Sequence, residues 1–342
     1  MKKTLMYLVA ALVTLSLGVF GAGAAPQDVA VEGSPDYPIY TIYCDYEGPD
    51  AVMTPCGSMP ASHVHFVGDG SVIKLAPEGN YVYSPDDKLT EFVPKEKETP
   101  SWLHRVDITK PWPVALSTIT PKVAGGWIEY AYTNTQSNLA MCDAKWKVPG
   151  EPPVAGGQTM GLFVGIEDRN ATWILQPVLV FGESVAGGDP DDWTGVAFAV
   201  QDSNAYFGPV ISCNVGDIIF GYVSYNELNG DKFHSVTFED QTTGRRSLLS
   251  FWGAFPTSNC IGVVTLEGYN FSGNQHVPYN TLFKNVRYVK KDGSQIKWPT
   301  MYKKINDYGV LTGLGVDVFF SGSGSLKKMN IRLRTANGGP DW

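Results

Sequence analysis

The chain has 342 residues, a formal net charge of −8 and only 18% charged residues. That length allows one or two domains with a sizeable core. An acidic balance with no Lys/Arg stripe argues against nucleic acid as a partner and suits a soluble protein outside the cytoplasm.

Residues 1–24 read as a signal peptide. Lys2 and Lys3 form a basic start, Leu5–Phe20 an apolar run, and Ala22-Gly23-Ala24 a small-residue cleavage site. The run is short for a membrane span, so cleavage is expected, leaving a secreted, extracellular chain with no membrane attachment. Beyond it the chain is rich in Gly (37), Pro (23), Tyr (17) and Phe (16). Short Val/Ile/Tyr/Phe/Thr runs recur between Gly, Pro, Asn and Asp clusters, the pattern of an all-β sandwich or barrel.

Residues 25–110 form a smaller N-terminal region that runs through the charged, Pro-flanked stretch 94–100, an exposed loop or linker. His63-Val64-His65 would place two imidazoles on one face of a strand, but with no nearby carboxylate or Cys they predict no metal site. Cys44 and Cys56 flank a short loop and can close it as a local disulfide. Cys142, Cys213 and Cys260 lie further on, so at least one thiol is left over.

Residues 111–342 form the main domain. Strands are expected over Gly125–Tyr132 and Leu139–Val148, then over the central pair Met160–Ile166 and Thr172–Phe181, joined by the turn 167–170. In the second central run Thr172, Ile174, Gln176, Val178 and Val180 share one face, while Trp173, Leu175, Leu179 and Phe181 share the other. Gln176 therefore brings into a strand an amide that must find partners or meet a ligand. Pro177 follows it and removes a backbone donor, which predicts a sheet edge or a bulge. The acidic turn with Asp189, Asp191 and Asp192 lacks the spacing of a Ca²⁺ loop. A meander follows, with strands over Val196–Val200, Ile218–Tyr225, Lys232–Glu239 and Arg245–Phe251; Asn229-Gly230 marks one hairpin. In Ile261–Tyr269 a carboxylate, Glu267, sits mid-strand. Burial would raise its pKa and suit it to general acid/base work, whereas at an edge it would simply face water.

Several short motifs in order resemble the glutamic peptidases (eqolisins, peptidase family G1). They are Trp127 after glycines, Lys147-Val148-Pro149, Phe163-Val164-Gly165-Ile166-Glu167, Ile174-Leu175-Gln176, Val215-Gly216-Asp217, Thr242-Thr243-Gly244 and Leu266-Glu267. The resemblance spans roughly residues 117–336. It implies a lectin-like (concanavalin-type) β-sandwich of two antiparallel sheets, made with a propeptide that residues 25–110 would supply. It further implies a secreted, acid-acting endopeptidase with Gln176 and Glu267 as catalytic dyad, a polypeptide substrate, and neither metal nor organic cofactor. Trp127, Glu167, Trp193 and Tyr269 would line the substrate cleft. The family's Trp-x-Glu-Trp segment is reduced here to Trp193-Thr194-Gly195-Val196.

Two other readings fit the same residues. A non-catalytic lectin-like sandwich would bind glycan or build a cell-surface layer, with Trp127, Trp146, Trp173 and Trp193 stacking on sugars. A glycoside hydrolase would need two facing carboxylates such as Glu129 and Glu267.

Overall fold

The computed structural model describes residues 35, 37–110, 124–133, 138–185, 191–253, 255–256, 258–296, 301–322 and 327–339. The signal sequence and Asp189 lie outside them. The described chain is almost entirely β, built as two large sheets face to face with a third, small sheet over one of them.

The first large sheet is built around β11 (Thr159–Asp168). On one side β11 pairs antiparallel with β19 (Cys260–Phe271), which pairs with β9 (Ala124–Thr133) and then β21 (Met301–Ile305). On the other side it pairs with β12 (Trp173–Gly182), followed by β13 (Trp193–Gln201), β14 (Asn204–Phe207) and β4 (Val64–Phe66). The short β15 (Ile211–Cys213) also pairs with β13.

The second large sheet contains β10 (Leu139–Lys147), β16 (Ile218–Leu228), β17 (Asp231–Asp240) and β18 (Arg245–Trp252). It is extended by β20 (Thr281–Lys290), β23 (Lys328–Arg334) and β22 (Gly315–Ser321) at one end. At the other end stand β5 (Val72–Ala76), β6 (Gly79–Tyr83) and β7 (Leu89–Pro94). The small sheet has the order β2 (Ala51–Thr54), β3 (Gly57–Pro60), β1 (Tyr40–Asp45), β8 (Leu103–Asp107). Residues 40–107 thus supply a sheet of their own and also lengthen both large sheets, through β4 on β14 and β5 on β18.

Every residue of β11 is buried. One of its faces meets the second large sheet and the other lies under the N-terminal region, which is why the run reads as continuously apolar rather than alternating. Between the large sheets Trp146 packs on Phe283 (4.9 Å between rings) and Phe238 (6.0 Å). An aromatic ring of this size removed from water contributes roughly 4–6 kcal/mol before entropy is counted. Backbones must approach closely to admit it. A Cβ at Gly221 would come within 2.6 Å of the Trp146 ring and 2.8 Å of Pro177. The β16–β17 hairpin forms at Asn229-Gly230, whose φ values of 55° and 88° are those of the primed turn that matches strand twist.

Three sequence expectations are corrected. Pro177 is neither at an edge nor in a bulge, because β12 is paired on both sides. Phe163↔Val178 and Ile166↔Leu175 keep one register, and the ladder simply lapses between them, where Pro177 has no N–H to give. Across from it, Ala197 finds outside partners: its N–H donates to Ser247 Oγ at 2.8 Å and its carbonyl accepts from Gly208. His63 and His65 do not share a strand face. His63 ends a short 3₁₀ turn against the Ser203 carbonyl, while His65, on β4, bonds Glu91 and Asn204. The cysteines are all free thiols. The Cys44 and Cys56 sulfurs touch at 3.5 Å without bonding.

A buried face beneath the N-terminal sheet

In an antiparallel sheet, residues paired across strands share a face. Glu267 on β19 pairs with Gly161 on β11, and Gly161 with Val180 on β12. Gly165, two pleats along β11 on the same face, pairs with Val263 and lies against Gln176, to whose Cβ an added side chain would come within 3.4 Å. Gln176 and Glu267 therefore stand on the same face, on the two strands that flank β11. The β11 positions opposite them are both glycine, and Phe163 stands between these on the same face, its ring within 3.5 Å of where a Cβ on Gly165 would lie.

Glu167 joins this face from β11. It pairs with Ile174, which makes it a diagonal neighbour of Gln176. Tyr269 joins from β19 and donates its hydroxyl to Glu267 Oε1 at 2.6 Å. Trp127, opposite Glu267 across a register shift in β9, closes one flank, with its ring 6.3 Å from that of Phe163. Trp193 is not part of the site. It pairs with Phe181, two residues from Gly195, whose side-chain direction points at Phe238 of the second sheet, so the indole lies between the two large sheets. Glu129 also faces away. It pairs with Leu266, on the side opposite Glu267, and accepts the Gly315 N–H at 3.0 Å. The two carboxylates of the glycoside-hydrolase reading thus lie on opposite faces.

The face is sealed. Gln176 is 1% exposed, Glu267 2% and Glu167 0%. The cover is the small N-terminal sheet. Ile42 N–H donates to Glu167 Oε1 at 3.2 Å, the Tyr43 ring stacks on Tyr269 at 6.1 Å, and Pro55 O is 3.5 Å from the Tyr269 hydroxyl. Lower down, Tyr130 OH and Lys304 Nζ both donate to the Ile108 carbonyl.

Burial pushes the Glu267 carboxyl well above the usual carboxylate range; the Tyr269 hydrogen bond opposes this, while Cys56 and Glu167 push the same way. Burial likewise raises Glu167 well above its ordinary value, against the lowering effect of bonds from Thr41 and Ile42. These mutual effects place Glu267, Glu167 and the Cys56 thiol in one buried space. Within it Gln176 Oε1 and Glu167 Oε2 have no hydrogen-bond partner among the described residues. Unpaired buried acceptors are costly, here as at Glu129 Oε1 on the opposite face. No group of three or more His, Cys, Asp or Glu suited to hold a metal occurs among the described residues.

Sequence reasoning singled out Gln176, Glu267, Glu167, Trp127 and Tyr269. It missed the residues that close over them: Thr41, Ile42, Tyr43, Pro55 and Cys56. The only sequence signal for these was the apolar run Ile39–Cys44 in an otherwise polar region, which is ambiguous until its partner surface is known.

No family model matches the chain, and no curated protein matches it. Among solved structures it is similar to scytalido-glutamic peptidase with a transition state analog inhibitor. The match is 18% identical, covers 63% of this chain and 100% of that one, and has a TM-score of 0.41. It is similar also to SCP-B, a member of the Eqolisin family of peptidases in complex with the tripeptide Ala-Ile-His, at 18% identity, the same coverages and a TM-score of 0.38. Winged bean acidic lectin complexed with methyl-α-D-galactose follows at 10% identity, covering 72% of this chain and 90% of that one, with a TM-score of 0.25. These likenesses concern overall fold; the chemistry rests on the residues themselves.

Proposed function

We propose that the chain is the latent precursor of a secreted, acid-acting endopeptidase that hydrolyses peptide bonds with Gln176 and Glu267. The observation that carries this reading is the placement of Gln176, whose amide oxygen has no partner among the described residues, and the buried Glu267 carboxyl on one sheet face under the N-terminal sheet. In the reaction Glu267, as carboxylate, takes a proton from a water placed against the scissile carbonyl. Gln176 orients that water with its Oε1 and stabilises the developing oxyanion with its NH₂. Protonated Glu267 then gives the proton to the leaving amine. A glutamine suits its share because it offers donor and acceptor at every pH, while only the glutamate needs to cycle. Tyr269, which bonds Glu267, fixes the orientation of the carboxyl. Residues 25–110 serve as the propeptide, and their removal or displacement opens the face. Of the tryptophans of the glycan-binding alternative, Trp146 and Trp193 lie between the two large sheets and present no ring to a sugar even when the face is uncovered.

The test is proteolysis of a denatured protein substrate between about pH 2 and 7, where carboxylates titrate. Full-length wild type, Glu267→Gln and Gln176→Ala are compared after incubation in acid, with loss of the N-terminal region followed by mass. Cleavage by wild type and a fall of at least about 10³-fold in both variants is expected, the scale of losing an acid/base or an oxyanion donor. Absence of cleavage by folded, N-terminally processed protein refutes the reading.

A further inference from the structure

The segment that covers the face is an extended strand, and it is held as a bound peptide would be. At β1, Ile42 donates its backbone N–H to Glu167 Oε1 (3.2 Å), and the Thr41 side chain bonds the same carboxyl. The next residue, Tyr43, stacks on Tyr269 (ring centroids 6.1 Å). Its hydroxyl sits over Gly125, where an added Cβ would lie 3.7 Å from it and 2.8 Å from the Tyr269 ring. Glu167 and Tyr269 are thus engaged by consecutive residues of one extended strand, beside Gln176 and Glu267. A carboxyl that binds a backbone N–H does not read side-chain identity, whereas a ring stacked over a glycine does.

We infer that Glu167 is a substrate-positioning residue that takes a backbone N–H of an extended polypeptide, with an aromatic residue next in the chain stacked on Tyr269 over Gly125, and that β1 is this chain's own stand-in for that substrate. The inference rests on the peptidase reading and adds to it a strand orientation and a residue preference. The favoured substrate carries Ser or Thr, then any residue with a free backbone N–H, then Tyr, Phe or Trp, in the order of Thr41-Ile42-Tyr43. The second oxygen of Glu167 has no partner among the described residues while β1 is seated. It acts on binding and not on the bond that breaks, so it shows in KM.

The experiment uses full-length protein incubated in acid and a synthetic peptide of residues 39–45 carrying Cys44→Ser. The peptide is expected to inhibit hydrolysis competitively. Methylating the nitrogen that corresponds to Ile42 should weaken inhibition about 3- to 10-fold, the worth of a hydrogen bond to a neutral carboxyl. In Glu167→Leu, KM should rise by a similar factor with kcat held within about twofold, and N-methylation should have no further effect, since the bond it removes is already gone. Tyr43→Ala in the peptide should also weaken inhibition. Unaltered inhibition by the N-methyl peptide overturns the inference, as does an equal loss in wild type and Glu167→Leu; should Glu167→Leu fail to fold, the wild-type peptide series decides alone. Hydrolysis that persists with uncoupled losses refutes only this inference. Hydrolysis missing from folded, processed protein refutes the peptidase reading and this inference with it.

Discussion

Replacing Glu267 with Gln should make the latent protein more stable as pH rises, while abolishing the proposed activity. Glu267 is buried, and its pKa is raised well above the usual range chiefly by that burial. The sign follows from linkage. A carboxyl with a raised folded pKa binds more protons folded than unfolded between the two pKa values. Its contribution is therefore intact below about pH 4, near the unfolded value, and is lost as pH climbs through the folded value. Over that window wild type loses about 1.4 kcal/mol per pH unit through this one group. Gln is neutral throughout and still offers an oxygen to the Tyr269 hydroxyl, so it escapes the loss. Near pH 4 the two proteins should match closely; above about pH 5 the variant's lead should grow by about 1.4 kcal/mol per pH unit until the folded pKa is passed. Urea unfolding followed by tryptophan fluorescence at pH 4, 5, 6 and 7 measures the difference. The comparison between proteins is essential because His234 slopes the other way: burial, then Lys291, hold it down to about 4, so its contribution is lost as pH falls from about 6.5. A pH-independent difference, or a wild type that gains on the variant, would show that Glu267 is charged in the folded chain and refute the argument.

The remaining expectations are simpler to check. Ser247→Ala strands the Ala197 N–H that Ser247 accepts at 2.8 Å in a fully buried position, and should cost about 1–3 kcal/mol in urea unfolding at any pH. Gly221→Ala drives a methyl into Trp146 and Pro177 and should cost about 1–3 kcal/mol, with a shift in tryptophan emission as the indole is displaced. Gln176→Ala should abolish proteolysis yet leave unfolding stability unchanged or raised, because it removes a buried oxygen that has no partner.

Much of the main sandwich was legible because its strands carry signals that need no partner to be read. The Asn229-Gly230 turn fixes the β16–β17 hairpin, and Met160–Ile166 and Thr172–Phe181 announce two buried strands. The polar exceptions inside those strands, Gln176 and Glu267, stood out for the same reason: a central strand tolerates such groups only where they are satisfied or used. Two kinds of feature were hidden. Pro177 argued for an edge because propensity prices the lost hydrogen bond but not the neighbours; in the fold the ladder lapses at one rung and packing against Gly221 and Trp146 holds the strand in place. Trp193 was placed in the cleft by the resemblance, and β13 offers no polar alternation to say which of its sides faces the second sheet. The residues that close the site were beyond reach, since Ile42 meets Glu167 across 125 positions of sequence.

The electrostatics of the closed face also constrain how an acid-acting enzyme could open. Protonation of Glu167 and Glu267 removes the cost of burying them, so falling pH steadies the N-terminal sheet over the site rather than loosening it. An acid trigger must therefore act through groups whose protonation breaks a contact. The ion pair of Lys95 with Asp202, 3.6 Å apart, joins the N-terminal region to the first large sheet but is exposed, and such pairs contribute little. The pair of Asp45 with His104 at 2.8 Å lies within the small sheet and braces β1 against β8. This contact lies directly beside the strand that occupies the site. If that brace governs opening, Asp45→Asn should bring the onset of N-terminal processing to higher pH, measured by mass after timed incubation. An unchanged onset would shift the trigger to cleavage of the chain itself, with charge playing no part in release.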